Sequence, residues 1–270
     1  MKHRADNNLK TYLTKCEAEV FQTALSLLYS ELSLDCIRLD PYVKKGEPIP
    51  ESTSTERADL AEFVVLQVRY FGSDTGAYLL RNIFSDEPGI AYREVLHDVA
   101  GDLNKHMKKK RIIPRLATAD DLELLIVEQI LDVSFQGKSQ EQVVEMLESA
   151  GLDKDAAHIT AKEIATVGAG GAILIGIVKL LGKNTVKAVV QNAMIWMLAK
   201  RMGKEAAIKI AGKALGEVAA KRIASFFAGV GWALLALDAY NFVGGTAKRI
   251  TIPFVSFVAV SRVVDRDLGT

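Results

Sequence analysis

Residues 212–232 read Gly212-Lys-Ala-Leu-Gly216-Glu-Val-Ala-Ala220-Lys-Arg-Ile-Ala224-Ser-Phe-Phe-Ala228-Gly-Val-Gly-Trp232. Small residues return every fourth position at Gly212, Gly216, Ala220, Ala224 and Ala228, and residues four apart lie along one stripe of an α-helix. A stripe without bulk lets another backbone come close, the packing logic of tight helix pairs in membranes and in dry cores. The stretch sits inside a longer one, 209–264, whose tail Ile250-Thr-Ile-Pro-Phe-Val-Ser-Phe-Val-Ala-Val260 is apolar. Upstream, Gly168, Ala172 and Gly176 form a second small-residue stripe. The spacing predicts a Gly/Ala-rich apolar helical hairpin in the C-terminal half and, for the whole chain, an all-α multi-helix bundle.

Composition agrees with that class. The chain is 49% hydrophobic but only 7% aromatic, which favours small-residue helix packing over an aromatic-rich sandwich. No proline occurs from Arg115 to Ile252, a span in which helices can run without losing backbone donors. Only Ile250–Val260 is ambiguous: its β-branched residues and Pro253 allow an extended start, so any sheet is expected there.

Charge divides the chain. Residues 1–160 hold 19 Lys+Arg against 27 Asp+Glu, a net of −8, and residues 161–270 hold 15 against 6, a net of +9. Such a split lets the halves meet each other, or lets the basic half meet an anionic surface. The organisation read from this is an acidic helical region at 1–115 with a proline-bearing loop at 40–58, connecting helices at 116–160, and a basic, Gly/Ala-rich apolar region at 161–270.

Local signals place the elements. Leu9, Leu13, Val20, Ala24, Leu27, Leu28, Leu32 and Leu34 fit one helical period over 9–34. Residues 40–58 hold three of the six prolines and read as a linker. Helices are expected at Ala58–Phe71, closed by Gly72, at Gly76–Phe84 after a Ser73-Asp-Thr75 cap, and at Ile90–Lys110. The last carries Tyr92, Val95, Leu96, Val99, Leu103 and Met107 on one stripe and ends in Lys108-Lys-Lys-Arg111, where positive charge suits a helix C-terminus. Thr118-Ala-Asp-Asp121 caps a helix to Phe135, and Ser139-Gln-Glu-Gln142 is a capping box for one stopping at Gly151.

Reaction chemistry is sparse. His97, Asp98, Asp102 and His106 are the nearest approach to a ligand cluster, but a metal needs three or four converging donors, and a solvated helix face explains them better. Gly168-Ala-Gly-Gly171 lacks both the GK[ST] and the GxGxxG that would cradle a phosphate. Cys16 and Cys36 are too few for a disulfide scaffold, and Cys16 reads as a small helix residue. Phe71-Gly-Ser-Asp74, Arg81 and Tyr92-Arg93 form the one polar constellation an enzyme could use, and they read as caps and turns. The motifs imply no catalytic residue, no cofactor and no resident metal; the sequence reads as non-enzymatic.

The lysines say more. Lys179, Lys183 and Lys187 fall on one helix face at steps of four, and Lys200, Arg201 and Lys204 fill the connector. A cationic face beside apolar stripes suits an anionic membrane surface or a hydrophobic partner helix; equally, it suits solvent or the acidic half of the chain. Aromatics do not interleave these lysines, so nucleic acid is not an expected partner. The longest charge-free runs in the C-terminal half, Ile164–Val178 and Ile223–Leu237, are 15 residues each, short of the ~18 a spanning helix needs. Met1-Lys-His-Arg-Ala-Asp-Asn-Asn shows no apolar signal region. The expected location is the cytoplasm, with a peripheral place at the inner membrane.

Several segments together resemble the bacterial YaaW family, sometimes labelled ubiquinol–cytochrome c chaperone-like. They are Leu13-x-x-Cys16, Phe71-Gly72 with Asp74, Tyr92-Arg93-x-x-Leu96-x-Asp98-Val99, and Ala247-Lys-Arg-Ile-Thr-Ile-Pro253. The resemblance implies a helical bacterial protein, cytoplasmic or membrane-associated, and its chaperone label implies binding of apolar helices during assembly of membrane complexes. The function expected is a non-enzymatic helical protein acting on anionic membranes or on apolar helices of membrane proteins. The alternative is a pore-former whose apolar hairpin inserts on release.

Overall fold

A computed structural model describes residues 7–29, 34–71, 91–105, 107, 110–135, 138–149, 153–167 and 246–268. The helical hairpin expected in the C-terminal half lies outside them up to residue 245, only its apolar tail being described, and Gly72 to Ile90 lie outside with the helix expected at Gly76–Phe84. The described chain is all-α. Its nine α-helices are α1 (Asn7–Lys15), α2 (Ala18–Leu28), α3 (Asp40–Val43), α4 (Thr55–Phe71), α5 (Tyr92–Lys105), α6 (Ala119–Phe135), α7 (Gln140–Ser149), α8 (Lys154–Val167) and α9 (Thr246–Leu268), with a 3-10 helix at Leu34–Leu39. No strand occurs among the described residues.

Contacts group the chain into two compact units, Met1–Val99 with Asn241–Val255, and Ala100–Tyr240 with Ser256–Thr270. In the first, α4 packs on α1 and α2, and α3 packs on α2. Leu9, Leu13, Phe21, Leu25, Leu28, Leu60, Val64 and Val68 are buried there. In the second, α7 packs on α8, with Val143, Leu147, Ala157 and Ala161 buried. The stripe read from sequence, Tyr92, Val95, Leu96, Val99, Leu103 and Met107, is buried throughout.

Local chemistry sets several helix starts. At α6, Thr118 N donates to Asp121 Oδ2 at 2.9 Å, and Asp121 N donates to Thr118 Oγ1 at 3.2 Å. At α7, Ser139 N donates to Gln142 Oε1 at 2.9 Å and Gln142 N to Ser139 Oγ at 3.3 Å. Each pair satisfies helix-end donors reciprocally. Asp153 opens α8 by accepting from Ala156 N at 2.9 Å. Ser54 opens α4, accepting from Arg57 N at 3.1 Å, so that helix starts at Thr55 rather than at Ala58.

Three expectations are corrected. The single helical period over 9–34 breaks at Cys16-Glu17, where Glu17 is extended at φ −55°, ψ 147°. No proline or glycine marks the break; a distant arginine stabilises it, as shown below. The helix expected to Lys110 ends at Lys105, because Asn104 takes Arg111 into a tight return: Arg111 N donates to Asn104 Oδ1 at 2.9 Å and Asn104 Nδ2 donates to Arg111 O at 2.7 Å. Arg111 is therefore not a helix-end charge. Finally, Ile250–Val260 has no extended start, for α9 runs through Pro253. Phe254 to Ser261 are buried at every position. A helix enclosed all round needs no polar face, and its β-branched residues reflect core packing rather than pleating.

The proline-bearing stretch 40–58 is fastened to its surroundings. Gln22 Nε2 donates to Tyr42 O at 2.9 Å, Tyr42 OH donates to Glu56 Oε1 at 2.9 Å, and Tyr29 OH donates to Asp40 Oδ1 at 2.7 Å. Gly46 turns the chain at φ 68°, a backbone conformation that costs glycine little.

Candidate functional site

The cations singled out by sequence, Lys179, Lys183, Lys187, Lys200, Arg201 and Lys204, lie outside the described residues. So does the packing stripe Gly212, Gly216, Ala220, Ala224 and Ala228. Of the possible ligand cluster, His97, Asp98 and Asp102 lie on α5, and His106 is outside. Asp102 pairs with Lys105. No group of three His, Cys, Asp or Glu among the described residues is placed to hold a metal ion. Tyr92, from the polar constellation an enzyme could use, is a core residue at 1% exposure.

What the structure does build is a set of arginine-centred anchors. In the first unit, the break at Cys16-Glu17 frees main-chain carbonyls at the end of α1. In a continuous helix Leu13 O would accept from residue 17 and Cys16 O from residue 20. Arg57, at the start of α4, takes them instead: Nε donates to Leu13 O at 3.0 Å and Nη2 to Cys16 O at 2.9 Å, with Cys16 Sγ at 3.5 Å. The guanidinium lies 3.9 Å from the centroid of the Phe21 ring, within cation–π range. It thus acts as a C-terminal cap supplied from another helix, a cation where the helix dipole is negative. Burial lowers the Arg57 pKa from its ordinary value, with the adjacent Cys16 opposing. Cys16 is therefore part of a helix end, not an interior helix residue.

In the second unit, Arg262 of α9 bridges to α6. Its Nη1 donates to Glu123 Oε1 at 2.6 Å and its Nη2 to Asp120 Oδ1 at 3.3 Å. Glu123 is fully buried, so its charge depends on that guanidinium. Arg266 adds a second contact to Asp120 at 3.4 Å.

The loop between α5 and α6 is the third anchor. Besides the paired main-chain bonds to Asn104, Arg111 donates through Nε to Asp132 Oδ2 at 2.8 Å and through Nη1 to Glu128 Oε2 at 2.6 Å. Buried Gln129 braces the same knot, donating to Ala100 O at 2.9 Å and Asn104 Oδ1 at 3.0 Å. At the far end Ala117 is buried and its N donates to Pro114 O at 3.2 Å. Between these fixed ends Ile112 and Leu116 stand out at 89% and 91% exposure, the two largest values for a large hydrophobic among the described residues. Lys110 and Arg115 beside them are exposed too.

Sequence reasoning missed all three anchors. The loop alone left a signal: three apolar residues around Pro114, between basic residues and a capping box, belong to neither helix. Arg57 and Glu123 left none, because each is defined by a partner far away in the chain. Among the described residues, no helix is long and apolar enough to cross a membrane. No family model, curated protein or solved structure matches the chain.

Proposed function

We propose that this chain is a non-enzymatic helical protein that binds anionic membrane surfaces peripherally. The observation that carries the reading is the joint charge and hydropathy of residues 161–270: a net of +9 around two charge-free runs of 15 residues. Cationic side chains draw such a region to anionic lipid, and apolar faces then seat in the headgroup boundary. The resemblance to the YaaW family supports the same reading and adds a role: holding apolar helices of membrane proteins during assembly. A pore-forming role rests on the apolar hairpin alone and is the second reading.

Vesicle co-sedimentation tests it. Binding is expected to need anionic lipid and to weaken with salt, which screens exposed charge beyond a Debye length of ~8 Å at physiological ionic strength. Each lysine near an anionic surface contributes about 1 kcal/mol, so replacing Lys179, Lys183 and Lys187 by Gln together lowers binding on the order of a hundredfold. Leakage of a trapped dye on binding favours the pore-former. Absence of binding to anionic vesicles at low salt overturns the membrane reading altogether.

A further inference from the structure

Loops usually turn polar side chains to water. The α5–α6 loop turns two large apolar ones out as well, although it is tied down on both sides of them. Arg111 is fixed by two main-chain bonds to Asn104 and by two carboxylates of α6, Glu128 and Asp132. Ala117 is buried, and the next residue, Thr118, is locked in its capping box. The part between is short and carries Pro114, which limits its freedom. Ile113 is half-buried, but Ile112 and Leu116 are almost wholly in water, at 89% and 91%. A single exposed apolar residue is ordinary. Two on one braced loop, next to exposed Lys110 and Arg115, form a presented pair.

We infer that this loop is a membrane-docking element: Ile112 and Leu116 enter the headgroup–acyl boundary of an anionic bilayer while Lys110 and Arg115 meet its phosphates. The charge around the loop selects that occupant. In sequence, Lys108, Lys109, Lys110 and Arg115 put four cations within eight residues, besides Arg111, which is engaged by the carboxylates of Glu128 and Asp132. An apolar protein groove gives no reason for such a cationic rim, whereas an anionic lipid surface attracts it. Because the loop is already held in shape, little ordering entropy is lost on insertion. The inference rests on the membrane reading above and assigns it a site in the described part of the chain, separate from the 179–204 cations.

The experiment compares the full-length chain with two double variants on phosphatidylglycerol–phosphatidylcholine vesicles and on phosphatidylcholine alone. Ile112→Ser with Leu116→Ser removes the apolar pair. Both residues are exposed, so helix content and melting temperature are expected to stay as they are. Binding to the anionic vesicles is expected to fall about thirtyfold, equivalent to ~2 kcal/mol, and the fall persists at raised salt. Lys110→Gln with Arg115→Gln is expected to lower binding roughly tenfold or more at low salt and to have little effect at high salt. Wild-type binding that the Ile112/Leu116 variant leaves unchanged overturns the loop assignment and leaves the membrane reading standing. Absence of wild-type binding overturns both. Concentration-dependent self-association that disappears in the Ile112/Leu116 variant, with vesicle binding unaltered, assigns the loop to a second copy of the chain and overturns the lipid assignment.

Discussion

Arg57, in the first unit, sets its guanidinium against two main-chain carbonyls and an aromatic ring, whereas Arg262, in the second, sets its own against two carboxylates. Both fasten one helix to another far along the chain. They differ in what remains if the arginine goes. Removing Arg262 leaves a buried negative charge on Glu123, which is 0% exposed. Removing Arg57 takes the guanidinium from two neutral carbonyls, of which Leu13 O keeps the weak Cys16 thiol donor at 3.5 Å, and also removes a desolvated cation. A buried ion pair is therefore more brittle toward loss of one partner than a buried cation held by dipoles.

Mutation separates the two arginines. Arg262→Met is expected to cost the most, about 3–5 kcal/mol, because it takes a cation away from the buried Glu123 carboxylate. Adding Glu123→Leu to the same chain should return most of that loss, since a well-packed apolar pair often matches a buried ion pair. Denaturant titration of the two variants decides the point; a double variant no more stable than Arg262→Met contradicts it. Arg57→Met is expected to cost less, about 2 kcal/mol, the net of two carbonyls that lose their guanidinium donor and a relieved cation. The Arg57 pKa is lowered by burial, so the folded state disfavours its charge. That cost is relieved only as pH rises into the alkaline range, and from acid to neutral pH it is constant. The stability lost in Arg57→Met should accordingly be the same at every pH over that range.

The smallest effects belong to the caps. Thr118→Ala is expected to cost about 1 kcal/mol, measured as a shift in melting temperature. The Asp121 carboxyl is held below its ordinary 3.8, chiefly by the Thr118 hydroxyl and then by the Thr118 N–H. Glu141 is held below 4.5, first by its own main-chain N–H and then by Ser139. Folded values depressed in this way contribute stability above the unfolded values, lost as pH falls through the folded ones. An acid titration should therefore show the α6 and α7 starts loosening below about pH 4. In Thr118→Ala, the Asp121 share of that transition should be much reduced.

What the sequence made legible follows the range of the interactions. The starts of α6 and α7 were readable because donor and acceptor sit three residues apart, in Thr118/Asp121 and Ser139/Gln142. The buried face of α5 was readable because Tyr92 to Met107 keep one helical period. The break between α1 and α2 was not, because the group that satisfies Leu13 O and Cys16 O is 44 and 41 residues away. The early end of α5 was hidden for a related reason. Lys108-Lys-Lys-Arg111 looks like a helix terminus until Asn104 and two α6 carboxylates are seen to claim Arg111. In α9, Pro253 and the β-branched neighbours pointed to extended chain, and burial on every side overrode that local preference. The exposed pair Ile112 and Leu116 was visible as residues but not as a site. Hydropathy alone does not distinguish an apolar side chain tucked under a loop from one held out in water.

The position of Cys16 beneath Arg57 gives the first unit a clock. Cys16 is 9% exposed, and its thiol accepts from the guanidinium that ties α4 to the α1–α2 break. An alkylating reagent reaches that sulfur when α4 lifts away. In a Cys36→Ser chain, the rate of Cys16 modification then follows one molecular event. At low reagent it reports how much of the time the contact is open, and at saturating reagent how often it opens. A static hydrogen bond thereby becomes a measure of tempo for one part of the molecule, readable by mass alone.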